Sequence, residues 1–317
     1  MGAGPQLVRR HFKKNKIPAE VLNLINMEHS ILEKVVEHKS VLGEGPIWDD
    51  DSSQLIWLDI EAKEIHQYQE KTQVFKTTKF TKKVTALVLN TNGGLVAAVE
   101  DGFAAIDLEN GALKMIATIN EKGNRFNDGK CDPNGSFWAG TTSYQEIIGS
   151  ANVYELNASG NTKRILDNVT ISNGMAWSLD QQTFYYIDTP TREVVSYNYH
   201  KKTGAIDGKK TVYKINHGYP DGMTIDADGM LWIALWDGWK IIRINPQSGV
   251  ILNEVLLPVS NVTCCVFGGD NLENLYITTA SSGLSEQELL EQPLAGSLFV
   301  LKNSGYKGIK AFEYNTV

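Results

Sequence analysis

Cysteine is scarce in this chain. Cys131, Cys264 and Cys265 are the only three among 317 residues, and two of them are adjacent. An odd count, with no Cys-x-x-Cys and no zinc-type spacing, argues against a disulfide framework. A reduced, cytoplasmic setting suits that usage. Long apolar runs are missing as well: none approaches the ~18 residues of a membrane span. No continuous apolar segment follows the basic residues near the start, so no secretory signal is legible. Without one, the sequons at Asn157, Asn168 and Asn261 are chance matches. Basic charge is not in excess either. Lys and Arg number 30 against 37 Asp and Glu, a net charge of −7, which gives nucleic acid no reason to bind. A Gly-x-Ser-x-Gly elbow is also absent, so a serine-hydrolase reading has no support.

What is present is a repeat. A hydrophobic content of 42% and a charged content of 21% are ordinary for a globular chain, but one pattern of turn, short strand and bulky anchor recurs six times. Its anchors are Trp57, Val96, Trp138, Tyr186, Trp232 and Tyr276, with steps of 39, 42, 48, 46 and 44 residues. Several short strands per unit at a period of roughly 40–50 residues mark β-propeller blades. The clearest unit runs from Tyr219 to Ala234, where Asp228-Gly229 forms a hairpin signal between two apolar runs. The predicted fold is therefore all-β, a six-bladed β-propeller. It is one domain, because a closed ring cannot be divided without baring sheet edges.

Stepping back 11 to 13 residues from each anchor reaches Glu44, Thr85, Asn127, Asn173, Asp221 and Thr263. All six are polar and stand at the start of the repeat. The innermost strand of each blade lines the central channel, so equivalent positions converge near the axis. Two carboxylates, two amides and two hydroxyls would make a ring of oxygen ligands there. The glycines flanking Glu44 let the backbone crowd toward a centre. Arg125, Asn127 and Asp128 stand together in blade three, and a channel mouth lined this way could hydrogen-bond a polyhydroxylated substrate. The same residues read equally well as an Asn-Asp-Gly turn. Asp128, Asp226 and Asp228 read as turn caps, Thr85 as channel lining, and Cys264 and Cys265 as buried packing residues.

Residues 1–30 lie outside the repeat. Arg9, Arg10, His11, Lys13, Lys14 and Lys16 precede the first acid, Glu20, and the stretch reads as a flexible basic extension with a short helix around residues 18–26. It is like a transit peptide in its charge, but Pro18 and the low serine content argue against targeting. Residues 31–317 form the propeller. Ile31 to Glu37 reads as a strand that closes the ring by pairing with C-terminal strands around residues 297–301 and 311–314. The polar connection after Trp138, residues 139–150, is placed to cover the channel mouth.

Gly43-Glu44-Gly45-Pro46, Asn124-Arg125-Phe126-Asn127-Asp128-Gly129-Lys130, Ile171-Ser172-Asn173-Gly174, Pro220-Asp221-Gly222-Met223 and Cys264-Cys265-Val266-Phe267-Gly268-Gly269 resemble, in order and spacing, the regucalcin and gluconolactonase family. Insect luciferin-regenerating enzymes share these motifs. The resemblance runs from about residue 31 to the end. It implies a six-bladed propeller with one divalent cation in the channel, and hydrolysis of a sugar lactone such as glucono-1,5-lactone to the aldonic acid. Carried over by motif, Glu44, Asn173 and Asp221 would ligate the metal, Arg125 and Asn127 would contact substrate, and Asp221 would also serve as the base. One departure stands out. The family carries Met and acidic residues after its Gly-Thr pair, whereas Thr142, Ser143, Tyr144 and Gln145 follow here, so the acidic contact would be either replaced by Gln145 or moved to Glu146.

The donor chemistry agrees with the resemblance. Carboxylate and amide oxygens suit Ca²⁺ first, then Mg²⁺ or Mn²⁺, and Zn²⁺ also accepts carboxylates. Two other functions are compatible with the same ring: a calcium-binding regulatory protein, and a phosphotriester (organophosphate) hydrolase. The expected partner is a small-molecule lactone, with neither nucleic acid nor membrane involved.

Overall fold

The computed structural model describes residues 31–316; the basic extension and its expected helix lie outside them. Each repeat folds into a four-stranded antiparallel sheet, and six such sheets make a β-propeller. Five blades follow chain order, over residues 43–79, 84–118, 124–169, 172–214 and 219–256. The sixth is composite. Val262–Gly268, Asn274–Thr279 and Ser297–Lys302 are completed on the outer edge by Ile31–Lys39. Ile31 pairs with Lys302 and Lys34 with Phe299, and pairing resumes with Lys39 opposite Ser297 after a bulge. The first described strand thus closes the ring and covers an edge that would otherwise stay open.

The expected second pairing does not form. Residues 311–314 are not a strand of blade six. Their end crosses to blade two, where the Tyr314 N–H donates to Leu89 O at 2.8 Å and Thr91 N–H to Tyr314 O at 3.0 Å. The Tyr314 hydroxyl donates to Asn157 O at 2.7 Å. A short apolar run near a terminus satisfied its backbone by crossing the channel end instead of extending a sheet.

Packing explains why the anchor residues recur. The core consists of six apolar clusters, one at each seam between neighbouring blades. All six anchors are buried in these seams. Trp232 packs edge-on against Phe267 across the seam of blades five and six, and Trp138 against Trp177 across that of three and four. Burying aromatic side chains of this size contributes about 2–3 kcal/mol each. Asp226 caps its turn as the sequence predicts, whereas Asp228 pairs with Arg243. Asp226 accepts from the backbone N–H groups of Asp228 and Met230, and also from Trp232 Nε1 at 2.9 Å and Arg243 Nε at 2.7 Å. This buried carboxylate is a structural pin of blade five.

The innermost strands are Gly43–Asp49, Val84–Leu89, Asn124–Cys131, Ser172–Trp177, Tyr219–Ile225 and Val262–Gly268. In every one, the pairing with the second strand slips at the same place. The slip falls between Glu44 and Ile47, Val84 and Ala86, Phe126 and Gly129, Asn173 and Met175, Pro220 and Met223, and Val262 and Cys264. These bulges contain or adjoin each of the six polar ring positions. A bulge turns a side chain out of strict alternation, and here it does so six times around one axis.

Candidate metal and substrate site

The ring begins with blade one. Gly45 holds a φ of +50°, a left-handed conformation that a residue without Cβ adopts readily. Its N–H donates to the Glu44 carboxylate at 3.0 Å. Glu44, Asn173 and Asp221 are all buried. Across blade five, a Cβ on Gly222 would come within 2.3 Å of the Cys264 sulfur, so only glycine lets the strand bearing Asp221 sit so close to blade six.

A chain of side-chain hydrogen bonds fixes blades three to five. Arg125 donates from one terminal nitrogen to Asn127 Oδ1 and to Phe126 O, both at 2.8 Å. Asn127 Nδ2 then donates to Asn173 Oδ1 at 3.1 Å and to Ser172 O at 2.8 Å. Asn173 Nδ2 donates to Thr189 Oγ1 at 2.8 Å, and the Thr189 hydroxyl to Pro220 O at 2.7 Å, beside Asp221. Both N–H groups of Asn127 are committed, so it can turn only its carbonyl oxygen to a further partner, while Thr189 fixes the orientation of the Asn173 amide. Ser172 and Thr189 were not singled out in the sequence; nothing in their spacing marks them.

The two remaining ring positions play another part. Thr85 Oγ1 donates to Ala98 O at 3.2 Å, and Thr263 Oγ1 to Gly43 O at 2.5 Å. Their hydroxyl protons serve the fold. Thr263 ties blade six to the residue preceding Glu44.

Electrostatics mark the centre. Burial drives the Glu44 carboxyl up from 4.5 to about 8, with the Asp128 charge adding to the effect, and the Gly45 N–H and Arg125 opposing it. Asp221 is held well above its ordinary value by burial, then by Glu44 and Asp128. Asp128 is itself raised by burial, against the pull of Lys130 and the Gly129 N–H. Three carboxyls thus share one low-dielectric space, each resisting ionisation while the others are charged. Asp128 departs from the turn-cap expectation. Asn127-Asp128-Gly129 forms a bulge within a strand, not a turn between two. Asp128 lines a cavity of about 100 Å³, together with Pro46, Lys130, Met223, Cys264 and Phe312.

Arg125 is half-buried near the acids Glu61, Glu44 and Glu100 and the phenol of Tyr144, which offset only part of its desolvation. Tyr144 feels Arg125 in return, and Lys83 lies 5.7 Å over its ring. Tyr144, in the loop after Trp138, thus shares Arg125's surroundings.

Arg125 and the Gly45 N–H offset only part of the cost of burying Glu44, and Lys130 and the Gly129 N–H only part of that of Asp128. The donor set of carboxylates and an oriented amide carbonyl fits a hard divalent ion. Among the described residues, no helix is long and apolar enough to cross a membrane.

Comparison with known proteins gives the same picture. The family described as "SMP-30/Gluconolactonase/LRE-like region" matches residues 42–281. The Bacillus subtilis (strain 168) protein named "Putative sugar lactone lactonase YvrE" is 40% identical over 277 residues, covering 86% of this chain and 95% of its own. Among solved structures, a luciferin-regenerating enzyme superposes with a TM-score of 0.86 at 31% identity, covering 90% of this chain and 100% of that one. A calcium-binding protein, regucalcin from Agrobacterium tumefaciens, gives 0.84 at 26% identity, covering 89% and 96%. By sequence match over most of its length, by fold and by the order of its channel motifs, the chain belongs to the SMP-30/gluconolactonase/LRE-like family.

Proposed function

We propose that the protein is a divalent-metal-dependent lactonase that hydrolyses a sugar lactone such as glucono-1,5-lactone to the aldonic acid. The observation that carries this reading is the buried acid cluster at the bulges, Glu44 and Asp221 beside the oriented amide of Asn173. These three residues would hold the ion, with Ca²⁺ first by donor hardness and Zn²⁺, Mn²⁺ or Mg²⁺ also compatible. When bound, a divalent cation supplies Lewis-acid polarisation of the lactone carbonyl. The chain's own groups do the rest. Asn127, locked between Arg125 and Asn173, positions the substrate. Arg125 offers hydrogen-bond donors to ring hydroxyls at the mouth. Asp221, ionised in the loaded site, takes the proton from the attacking water. The family name and the name of the Bacillus relative both point to lactone hydrolysis.

The decisive variant is Glu44→Ala. Elemental analysis after reconstitution with Ca²⁺ and dialysis should return one equivalent for the wild-type chain and none for the variant, with lactone turnover lost in parallel. Full occupancy in Glu44→Ala would contradict the assignment. A second reading, calcium binding without turnover, draws on the regucalcin from Agrobacterium tumefaciens, which is described as a calcium-binding protein. It predicts the same Ca²⁺ stoichiometry with no lactone hydrolysis.

A further inference from the structure

A second set of donors lies at the ring's closure, outside the channel. His66, on the strand Glu64–Gln69 of blade one, has a fully buried side chain. His38, on the closing strand Ile31–Lys39 of blade six, meets it with ring centroids 4.3 Å apart at an angle of 54°. Trp57 and Phe75 wall the pair, at 5.0 Å and 5.6 Å from His66. Within this apolar box, the Nε2 atoms of both imidazoles are buried and have no hydrogen-bond partner among the described residues. An orphaned buried polar atom costs about 1–3 kcal/mol, so two of them side by side call for a ligand. Glu64 stands at the same place. Its Oε1 is held by Lys79 at 3.2 Å, and its Oε2 lies 4.0 Å from His66 Nε2. One donor atom from each of His38, Glu64 and His66 falls within 4.8 Å of the others.

We propose that His38, His66 and Glu64 bind a borderline transition-metal cation, Zn²⁺ foremost, which staples the closing strand of blade six to blade one. Two imidazole nitrogens and one carboxylate suit Zn²⁺, whereas the all-oxygen channel suits a harder ion. His66 Nδ1 lies 2.9 Å from Thr77 Oγ1. When that nitrogen carries the proton and donates, Nε2 keeps the bare lone pair that a metal needs, and the Thr77 hydroxyl fixes the ring as hydrogen-bond partners of metal-bound histidines commonly do. Zinc bonds of about 2.0–2.1 Å require donors roughly 3.3 Å apart. Closing the present spacing, up to 4.8 Å, takes up to roughly 1.5 Å of side-chain movement.

The test uses the full-length chain, stripped with chelator and titrated with Zn²⁺ by calorimetry. Glu44→Ala, with its channel disabled, should still bind one equivalent, and Zn²⁺ should raise its melting temperature. Adding His38→Ala should weaken that binding by about 100-fold and abolish the thermal shift. Where Glu44→Ala does not fold, the wild-type chain should bind one equivalent more than His38→Ala. Glu64→Gln provides a second, milder variant, with binding weakened by about 10-fold or more. Ca²⁺-loaded His38→Ala should keep normal lactone turnover, which separates this site from the channel. No Zn²⁺ bound by Glu44→Ala, or affinity unchanged in both His38→Ala and Glu64→Gln, overturns the proposal and leaves a bridging water or a direct imidazole pair between the rings.

Discussion

Metal binding in the channel should release protons, and the number follows from the site's electrostatics. Glu44, raised to about 8, is about 90% protonated at pH 7 in the metal-free chain, yet a ligand carboxylate must be ionised. Binding therefore expels about 0.9 proton from Glu44 and up to one more from Asp221, which is raised by burial and by Glu44 itself. Near neutrality the apparent Ca²⁺ affinity should climb about tenfold per pH unit from Glu44 alone, and toward 100-fold with both acids. Stability gives the matching sign. A carboxyl whose folded value is raised contributes stability below its unfolded value near 4.5 and loses it as pH rises through about 8. The loss amounts to at most roughly 5 kcal/mol, at 1.36 kcal/mol per unit. The metal-free protein should melt at lower temperature at pH 9 than at pH 5, while the Ca²⁺-loaded protein stays nearly level. Calorimetry in buffers of different ionisation enthalpy between pH 6 and 9 counts the protons directly. Binding with no proton release, and with an affinity flat across that range, would refute the buried-acid account.

Asp221→Asn should keep the fold and part of the metal affinity, since an amide oxygen still coordinates, but lose about 10²–10⁴ in kcat as a missing general base; near wild-type turnover in the metal-loaded variant would remove Asp221 from that role. Asn127→Ala, which breaks the link between Arg125 and Asn173, should act on kcat/KM with metal retained, and metal loss would instead make it a ligand. Deleting residues 1–28 should leave melting and activity unchanged, because the closing strand starts at Ile31. Deletion through Lys39 should lower the melting temperature sharply by baring the Ser297–Lys302 edge, and equal melting of the two truncations would sink the closure argument.

The six blades were legible because their signal is arithmetic. A period near 45 residues, with a bulky residue at each second strand, survives the loss of any one unit. The ring positions were legible for the same reason, and the structure puts a register slip at every one of them. Local chemistry misled where tertiary context decides. Asn127-Asp128-Gly129 has the composition of a turn, but the propeller uses it as a bulge, so the third carboxylate was missed. Residues 311–314 have the composition of a strand, but the composite sheet of blade six was already complete and they cross the channel end. Tyr144 carries no sequence signal for its place beside Arg125, which only the folded loop brings about. His38 and His66 are 28 positions apart and meet only because the first described strand closes the last blade, a contact no local pattern records.

The central claim is that a channel-bound divalent cation drives lactone hydrolysis. The most direct measurement follows acid release from glucono-1,5-lactone with a pH indicator on one preparation, first as isolated, then with chelator, then with Ca²⁺ restored. The account predicts turnover well above the spontaneous rate, its loss with chelator, and its recovery with metal. Turnover that persists unchanged in the fully chelated protein, or that never exceeds the spontaneous rate at any metal loading, would contradict it.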